Sequence, residues 1–312
     1  MTTLHPRRRR FAAVALRWAR RLVPGGAVVA AGVSATPLLT QGPRTSREVH
    51  HQIDGIPRHL DGPPGRLRVM TLNLAHGRSD GFHQVLQSKQ RIVTNLSRVA
   101  RVIDREAPDV VALQEADGPS LWSGQFDHVR FVAAETGFAD YVRGEHVVGL
   151  RTRYGTALMS RVGLTDARSI TFRPSPPTLS KGFVLATVPV PGKPGVAVDV
   201  VSVHLDFARQ GVRRRQVQEL VNTLVERPNP RLILGDFNAT WGGEETLQAL
   251  VDGLELVAWQ PDAGDQATFP FNGKRLDWIL ASPRLSFLDY RVLDDTVSDH
   301  RPVVALLALA DD

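Results

Sequence analysis

Residues 231–238 read RLILGDFN, a short apolar run that stops at a glycine, a carboxylate and an amide. The apolar half reads as a buried strand. Gly235 lets the backbone leave that strand sharply. Asp236 is then placed as a base for a water molecule, or as its orienter. The Asn238 amide can donate to an oxygen on which negative charge builds. The same tetrapeptide also reads as a strand-to-helix turn capped by Asn238 or Thr240.

Outward from this stretch, four more apolar runs end in the same way. LRVMTLN ends at Asn73, DVVALQE at Glu115, VDVVSVHL at His204 and its neighbour, and TVSDH at Asp299 and His300. A buried strand that ends in an unpaired carboxylate, amide or imidazole is costly unless the group has a partner. Five such endings imply a shared one, and a hard divalent cation with an anionic substrate fits their chemistry.

Between these runs, strands and helices alternate. Residues 66–73, 109–114, 154–160, 182–190, 196–204, 231–235, 275–281, 287–293 and 302–309 read as strands, with PGKPG turning one hairpin. Ile92, Leu96, Val99 and Ile103 share one helical face, and Pro108 ends that helix. Residues 209–225 and 244–252 read as further helices. The order β-α-β, then mainly β, then β-α-β-β predicts an α/β (α+β) architecture of two packed mixed sheets with helices outside.

The chain has 312 residues, 42% of them hydrophobic, so a sizeable core is expected. It has no cysteine, which excludes disulfides, thiolate zinc sites and a cysteine nucleophile. Its net charge of +6 rests on seven arginines before residue 23; without them 31 basic residues face 32 acidic ones. The remainder therefore lacks the basic footprint of a protein that binds nucleic-acid phosphates. Arg213, Arg214 and Arg215, with Arg143, Arg151 and Arg153, are its densest basic candidates.

Residues 1–40 are laid out as a signal or membrane-anchor-like leader. Arg7 to Arg10 form a charged start, an apolar stretch runs from Leu22 to Leu39, and Val33-Ser34-Ala35 is an acceptable cleavage pattern. Pro24, Gly25, Gly26 and Pro37 make that stretch a poor membrane span. The expectation is an exported (periplasmic or extracellular) or membrane-anchored protein, with a basic leader on a cytoplasmic protein as the alternative. Residues 41–65 read as a linker, and 66–312 as one catalytic domain, expected to be a monomer.

The strand endings suggest a division of labour. Glu115 reads as a metal ligand, with Asn73 as a neutral oxygen donor nearby or simply a turn former. His300 needs a carboxylate to fix its tautomer, and Asp277 in RLDWILAS is the candidate; Asp299 lies too close in sequence and is read as facing the metal or a water. His204 reads either as a structural histidine at a strand end or, in this company, as a donor to the phosphate or leaving group.

Taken in order, TLN, LQE, YGTALMSR, VSVHL, LGDFN, RLDWILAS and SDHRPV resemble the endonuclease/exonuclease/phosphatase superfamily across residues 66–309. The resemblance implies a four-layer α/β/β/α sandwich and phosphoester hydrolysis dependent on Mg2+, or on Mn2+ or Ca2+. It places Asn73 and Glu115 at the metal, with Asp299 completing the acidic cluster. Asp236 orients or deprotonates the water, Asn238 stabilises the transition state, and His300 with Asp277 contacts the scissile phosphate, as does His204. Tyr154 falls where an aromatic often faces the phosphate, and also reads as a plain core residue. Lys181 resembles a phosphate-reaching lysine of the sphingomyelinase and inositol-phosphatase branches, or a solvated hairpin lysine. His76, Gly77 and Arg78 are candidates to line the substrate pocket. Ala75 stands where abasic-site endonucleases often carry an aspartate. The favoured substrate is a phospholipid headgroup or small phosphoester, the alternative a nucleic acid cut by an endonuclease. A non-catalytic binding module would require a lost ligand or base, and none is missing. Specificity is expected from loops at 116–153 and 164–181.

Overall fold

The computed structural model describes residues 42–310 apart from 48–49, 60–61, 82 and 150–151, so the reading of residues 1–40 as a leader lies outside it. The strands are β1 (Arg44–Arg47), β2 (His51–Gln52), β3 (Arg66–Asn73), β4 (Val110–Asp117), β5 (Asp140–Val148), β6 (Arg153–Ser160), β7 (Thr165–Thr171), β8 (Gly182–Pro189), β9 (Ala197–His204), β10 (Arg231–Asp236), β11 (Val257–Ala258), β12 (Asp277–Ala281), β13 (Leu285–Val292) and β14 (Val303–Leu309). The helices are α1 (Lys89–Glu106), α2 (His128–Glu135), α3 (Gln210–Leu224) and α4 (Thr246–Leu254). One sheet runs β1-β7-β8-β9-β10-β12-β11 and the other β13-β14-β3-β4-β6-β5-β2.

Three apolar layers hold these elements together. Side chains alternate along a strand, so β3 sends Leu67 and Val69 between the sheets and Met70 and Leu72 toward a helix. Val200, Leu232 and Ile279 meet the first pair from the opposite sheet. On one outer face Ile92, Leu96, Val99 and Ile103 of α1 cover Met70 and Leu72. On the other, Val217 and Leu220 of α3 and Leu250 of α4 cover Val201, Ile233 and Trp278. The result is the four-layer α/β/β/α sandwich that the sequence implied.

Within each sheet, one pair of neighbours is parallel, β3 with β4 and β9 with β10, and each pair is joined by a helix. The carboxyl ends of both pairs meet across the sandwich, where the Asn73 amide donates to Asp236 and the Gln114 amide to Ser202. β12 and β14 run antiparallel to these strands and begin at the same end. All five polar endings therefore converge on one mouth.

Two expectations differ from the structure. Residues 41–65 are not a bare linker, because β1 extends one sheet along β7 and β2 extends the other along β5. Backbone hydrogen bonds and a bidentate Arg58–Asp140 pair (2.7 Å to each oxygen) hold the segment, rather than an apolar pattern visible in the sequence. The stretches 116–153 and 164–181 are not simple loops, since they contain α2, β5 and β7. Arg58→Ala strips a fully buried carboxylate of its partner. With Arg58 itself partly exposed, the expected loss is about 1–2 kcal/mol in a urea melt of the full chain. An unchanged melt would mean that the backbone bonds alone dock the segment.

Candidate active site

Strand alternation builds the floor of the mouth. Continuing inward from Val69, Val200, Leu232 and Ile279, the same faces present Asn73, His204, Asp236 and Asp277. A polar layer separates these groups from the apolar core. Gln114 donates to Ser202 Oγ (3.1 Å), Ser202 donates to Leu113 O (2.9 Å), and Thr71 donates to Gln114 (3.3 Å). The buried amide and hydroxyl are thus satisfied internally, as burial requires.

Asp236 occupies the centre and is 1% exposed. Its Oδ2 accepts from Asn73 Nδ2 (3.1 Å) and its Oδ1 from the Asn238 backbone N–H (2.9 Å). Gly235 is required here. A Cβ at that position would lie 2.0 Å from Val203 O, so only glycine lets β10 approach β9 this closely. Burial pushes the Asp236 carboxyl up to about 7, with Asp277 adding and His300 and Lys181 opposing. Such a group can hold or release a proton near neutrality.

His300 stands on one side of Asp236, its Nε2 3.9 Å from Asp236 Oδ2 and its Nδ1 2.8 Å from Asp277 Oδ2. Thr268 donates to the same Asp277 oxygen (2.6 Å), and Phe269 packs on the imidazole with ring centres 4.8 Å apart. Burial pulls His300 down, but Asp277 and Asp236 outweigh it and raise it to about 10, so the ring is an imidazolium at neutral pH. His204 stands on the other side, 3.4 Å from Asp236 Oδ2 and 2.9 Å from Lys181 Nζ. Burial, reinforced by the Lys181 charge, holds His204 well below its ordinary value and therefore neutral. Lys181 is a buried member of the site, not a solvated hairpin lysine.

Glu115 reaches the mouth by a different route. Alternation would turn it outward with Val111 and Leu113. A break in register between Leu113 and Ala116 and a left-handed backbone at Glu115 (φ 47°) re-aim it inward. Burial pushes its carboxyl up, but His76, Lys181, His204 and Arg78 prevail and hold it well below the usual carboxylate range. Asp299 lies close enough to feel Glu115 and is bound by the Arg78 guanidinium. Tyr154 is buried, its ring edge-on to His76 and stacked on Trp122, and burial with Glu115 and Asp117 raises its hydroxyl well above the ordinary value.

All eleven residues singled out by the sequence thus lie at one mouth, in two neighbouring groups. Asn73, Lys181, His204, Asn238, Asp277 and His300 surround Asp236. Tyr154, Arg78 and Asp299 border Glu115. The sequence reading left out Asp117, which pairs with His76 Nδ1 at 2.6 Å beside Glu115. An acid two residues after Glu115 on one strand was the available signal.

The donors fit a hard divalent cation. Asp299 lies close enough to Glu115 to feel its charge, the Arg78 guanidinium binds Asp299 and favours the Glu115 carboxylate, and the Asn73 amide oxygen, which accepts from Ala75 N (2.9 Å), keeps a second lone pair. Asp236, Asp277 and His300 also bring donor atoms within 4.8 Å of one another. The direct His300–Asp277 bond makes that trio an oriented imidazole rather than a cation cradle.

A profile of the Endonuclease/Exonuclease/phosphatase family matches residues 70–300. A UPF0294 protein of Vibrio vulnificus (strain YJ016) is 32% identical over 125 residues, 38% of this chain and 42% of the relative, so the match spans less than half of that protein. Among solved structures, an endonuclease/exonuclease/phosphatase from Beutenbergia cavernae superposes with a TM-score of 0.63 at 23% identity, covering 78% of this chain and 72% of that one. A mannosyl-6-phosphatase from Bacteroides thetaiotaomicron superposes with a TM-score of 0.60 at 18% identity, covering 78% and 100%. At these identities the structural likeness speaks for the fold.

Proposed function

The chain belongs to the Endonuclease/Exonuclease/phosphatase family, and on that footing we propose that it hydrolyses a phosphoester by direct attack of a water molecule, with a divalent cation held by Glu115, Asp299 and Asn73. The observation that carries this reading is the buried Asp236 carboxyl, held by Asn73 and Asn238 and faced by the His300–Asp277 pair. Asp236 takes the proton of the attacking water. The His300 imidazolium and the Lys181 ammonium face the phosphoryl oxygens. Asn238 spends one amide hydrogen on Leu205 O (3.2 Å) and keeps the other for the developing charge. His204, neutral and beside Asp236, accepts a hydrogen bond from Lys181, whose amine burial pulls below its ordinary value while Glu115, Asp236 and Asp206 favour its charge. When bound, the cation neutralises charge on the phosphoryl group. Glu115→Gln is expected to raise the cation concentration for half-maximal rate by about tenfold or more, read from a metal titration of activity.

Two observations support a phospholipid headgroup or small phosphoester over a polynucleotide. Four of the six basic candidates are paired with acids: Arg213 binds Glu244, Arg214 binds Glu245, Arg143 binds Asp127 and Glu145, and Arg153 also binds Glu145. The loops at the mouth instead carry exposed apolar side chains, among them Leu86 (71%), Leu179 (53%), Phe207 (65%) and Phe271 (81%). These come from four loops that open at the end where Asp236 lies, a setting for the apolar part of a substrate or for a lipid surface. Among the described residues no helix is long and apolar enough to cross a membrane, so export or tethering through the leader remains part of the proposal.

The test is a hydrolysis screen of the full chain on bis-p-nitrophenyl phosphate, sphingomyelin, an inositol phosphate and plasmid DNA, with chelator and Asp236→Ala controls. Chelator-sensitive cleavage of a lipid or small phosphoester, weakly dependent on salt, is the expected result. DNA nicking that falls steeply with salt would replace it with the nuclease reading. Turnover indifferent to both controls would end the proposal.

A further inference from the structure

A groove of about 360 Å3 lies beside the mouth, and the chemistry above gives it no task. α1 joins the parallel strands β3 and β4, so its first turns stand at the end of the sandwich where Asn73 lies. Asn95 ties that helix to the turn after β3 by donating to Gly77 O (3.0 Å). The groove is lined from the helix and from the residues that follow this turn. Arg78 is one of them and also holds Asp299 at the mouth, so a single side chain borders both places.

Arg91 and Arg98 line the groove from α1. Seven residues apart, they share one helix face about 10 Å from each other along the axis, and two side chains of this length can meet on one group between them. Both are exposed, and among the described residues neither guanidinium has a hydrogen bond or an ion pair. Asp80 is the single acid in the lining, and these two cations outnumber it. Exposed arginines by themselves would make only a solvated helix face. Ser79 sets this place apart. It lines the groove, it is 4% exposed, and its hydroxyl has no partner among the described residues. A buried hydroxyl without a partner is costly, and an oxygen held in the groove would satisfy it.

We propose that this groove is a second anion site, which takes a phosphate monoester carried by the substrate in addition to the phosphoester that is cut. The proposal rests on the hydrolase reading above and narrows its substrate to a molecule with two phosphate groups. A monoester is close to a dianion at neutral pH, which matches two guanidinium groups, and each of these offers it a fork of N–H donors. The volume suits one small group rather than the track of a polynucleotide strand. The extra phosphate has the same chemistry on a lipid headgroup and on a soluble phosphoester.

The experiment compares matched substrates on the full chain. One pair is glycerol 1-phosphate and glycerol 1,3-bisphosphate. The other is phosphatidylglycerol and phosphatidylglycerol phosphate, each in phosphatidylcholine vesicles. kcat/KM is expected to favour the doubly phosphorylated member of at least one pair by about tenfold or more, and the pair that shows it tells a soluble source from a lipid one. Arg91→Gln combined with Arg98→Gln should cut that preference to about twofold or less. Arg101→Gln, on the same helix but outside the groove, should retain it. Both substituted arginines are exposed, so the doubly substituted chain is expected to fold. Turnover of bis-p-nitrophenyl phosphate with no preference in either pair, or a preference that survives the double substitution, overturns the anion site and leaves the hydrolase reading in place. If no phosphoester turns over, the hydrolase reading falls, and calorimetric titration of glycerol 1,3-bisphosphate decides the groove without it. Equal affinity in the two chains then overturns the site, and binding about tenfold weaker in the doubly substituted chain supports it.

Discussion

Asp236→Asn is expected to lower kcat by about a thousandfold or more while leaving KM within a few-fold, because the change removes a proton acceptor and keeps the shape. The asparagine can still accept from the Asn238 N–H through its own amide oxygen, so the turn after β10 should persist. The wild-type pH profile follows from the same group. Burial raises Asp236 to about 7, and the base works only when ionised. kcat/KM should therefore fall as pH drops through that region, about tenfold per unit below it. Raising the cation concentration should move this limb toward acid, since a cation beside the carboxylate favours its charged form. Stopped-assay kinetics from pH 5 to 9 at two cation concentrations would show both effects. A variant within tenfold of wild type would remove Asp236 from the role of base.

The strand endings were legible because each sets a single polar group against an apolar run, and alternation then assigns it a face. Asn73, His204, Asp236 and Asp277 needed nothing further. Glu115 was legible as a residue but not in its route, since alternation points it at α1 and only the bulge brings it inward. The His76–Asp117 pair depends on that bulge and on a left-handed turn without a sequence signature, apart from the Gly77 that ends it. β5 escaped for another reason. Its sequence DYVRGEHVV carries charge where an apolar alternation is expected, and Arg143 and Glu145 neutralise each other only in three dimensions. The edge strands β1 and β2 are held by backbone bonds and one ion pair, neither of which leaves a periodic trace.

His300→Ala is the second large effect, an expected loss of about a thousandfold or more in kcat, and Asp277→Asn separates the reasons for it. If the imidazolium acts through its charge, activity is present while His300 is protonated and is lost as pH rises through its titration. Asp277 and Asp236 together raise that titration to about 10, so the wild-type alkaline limb should lie near there. Asp277→Asn removes the largest raising influence but leaves the ring, so the alkaline limb should move toward neutrality by more than about one unit. At pH 7 the same variant should lose the smaller factor of the two, about a hundredfold, because Phe269 still packs on the ring. The alternative is that His300 is the base and Asp236 its support. Under that assignment, Asp277→Asn would shift an acidic limb instead, and Asp236→Asn would be the milder variant. The order of the two losses and the side of the profile that moves decide between them, and the short His300–Asp277 contact beside a raised Asp236 carboxyl favours the first.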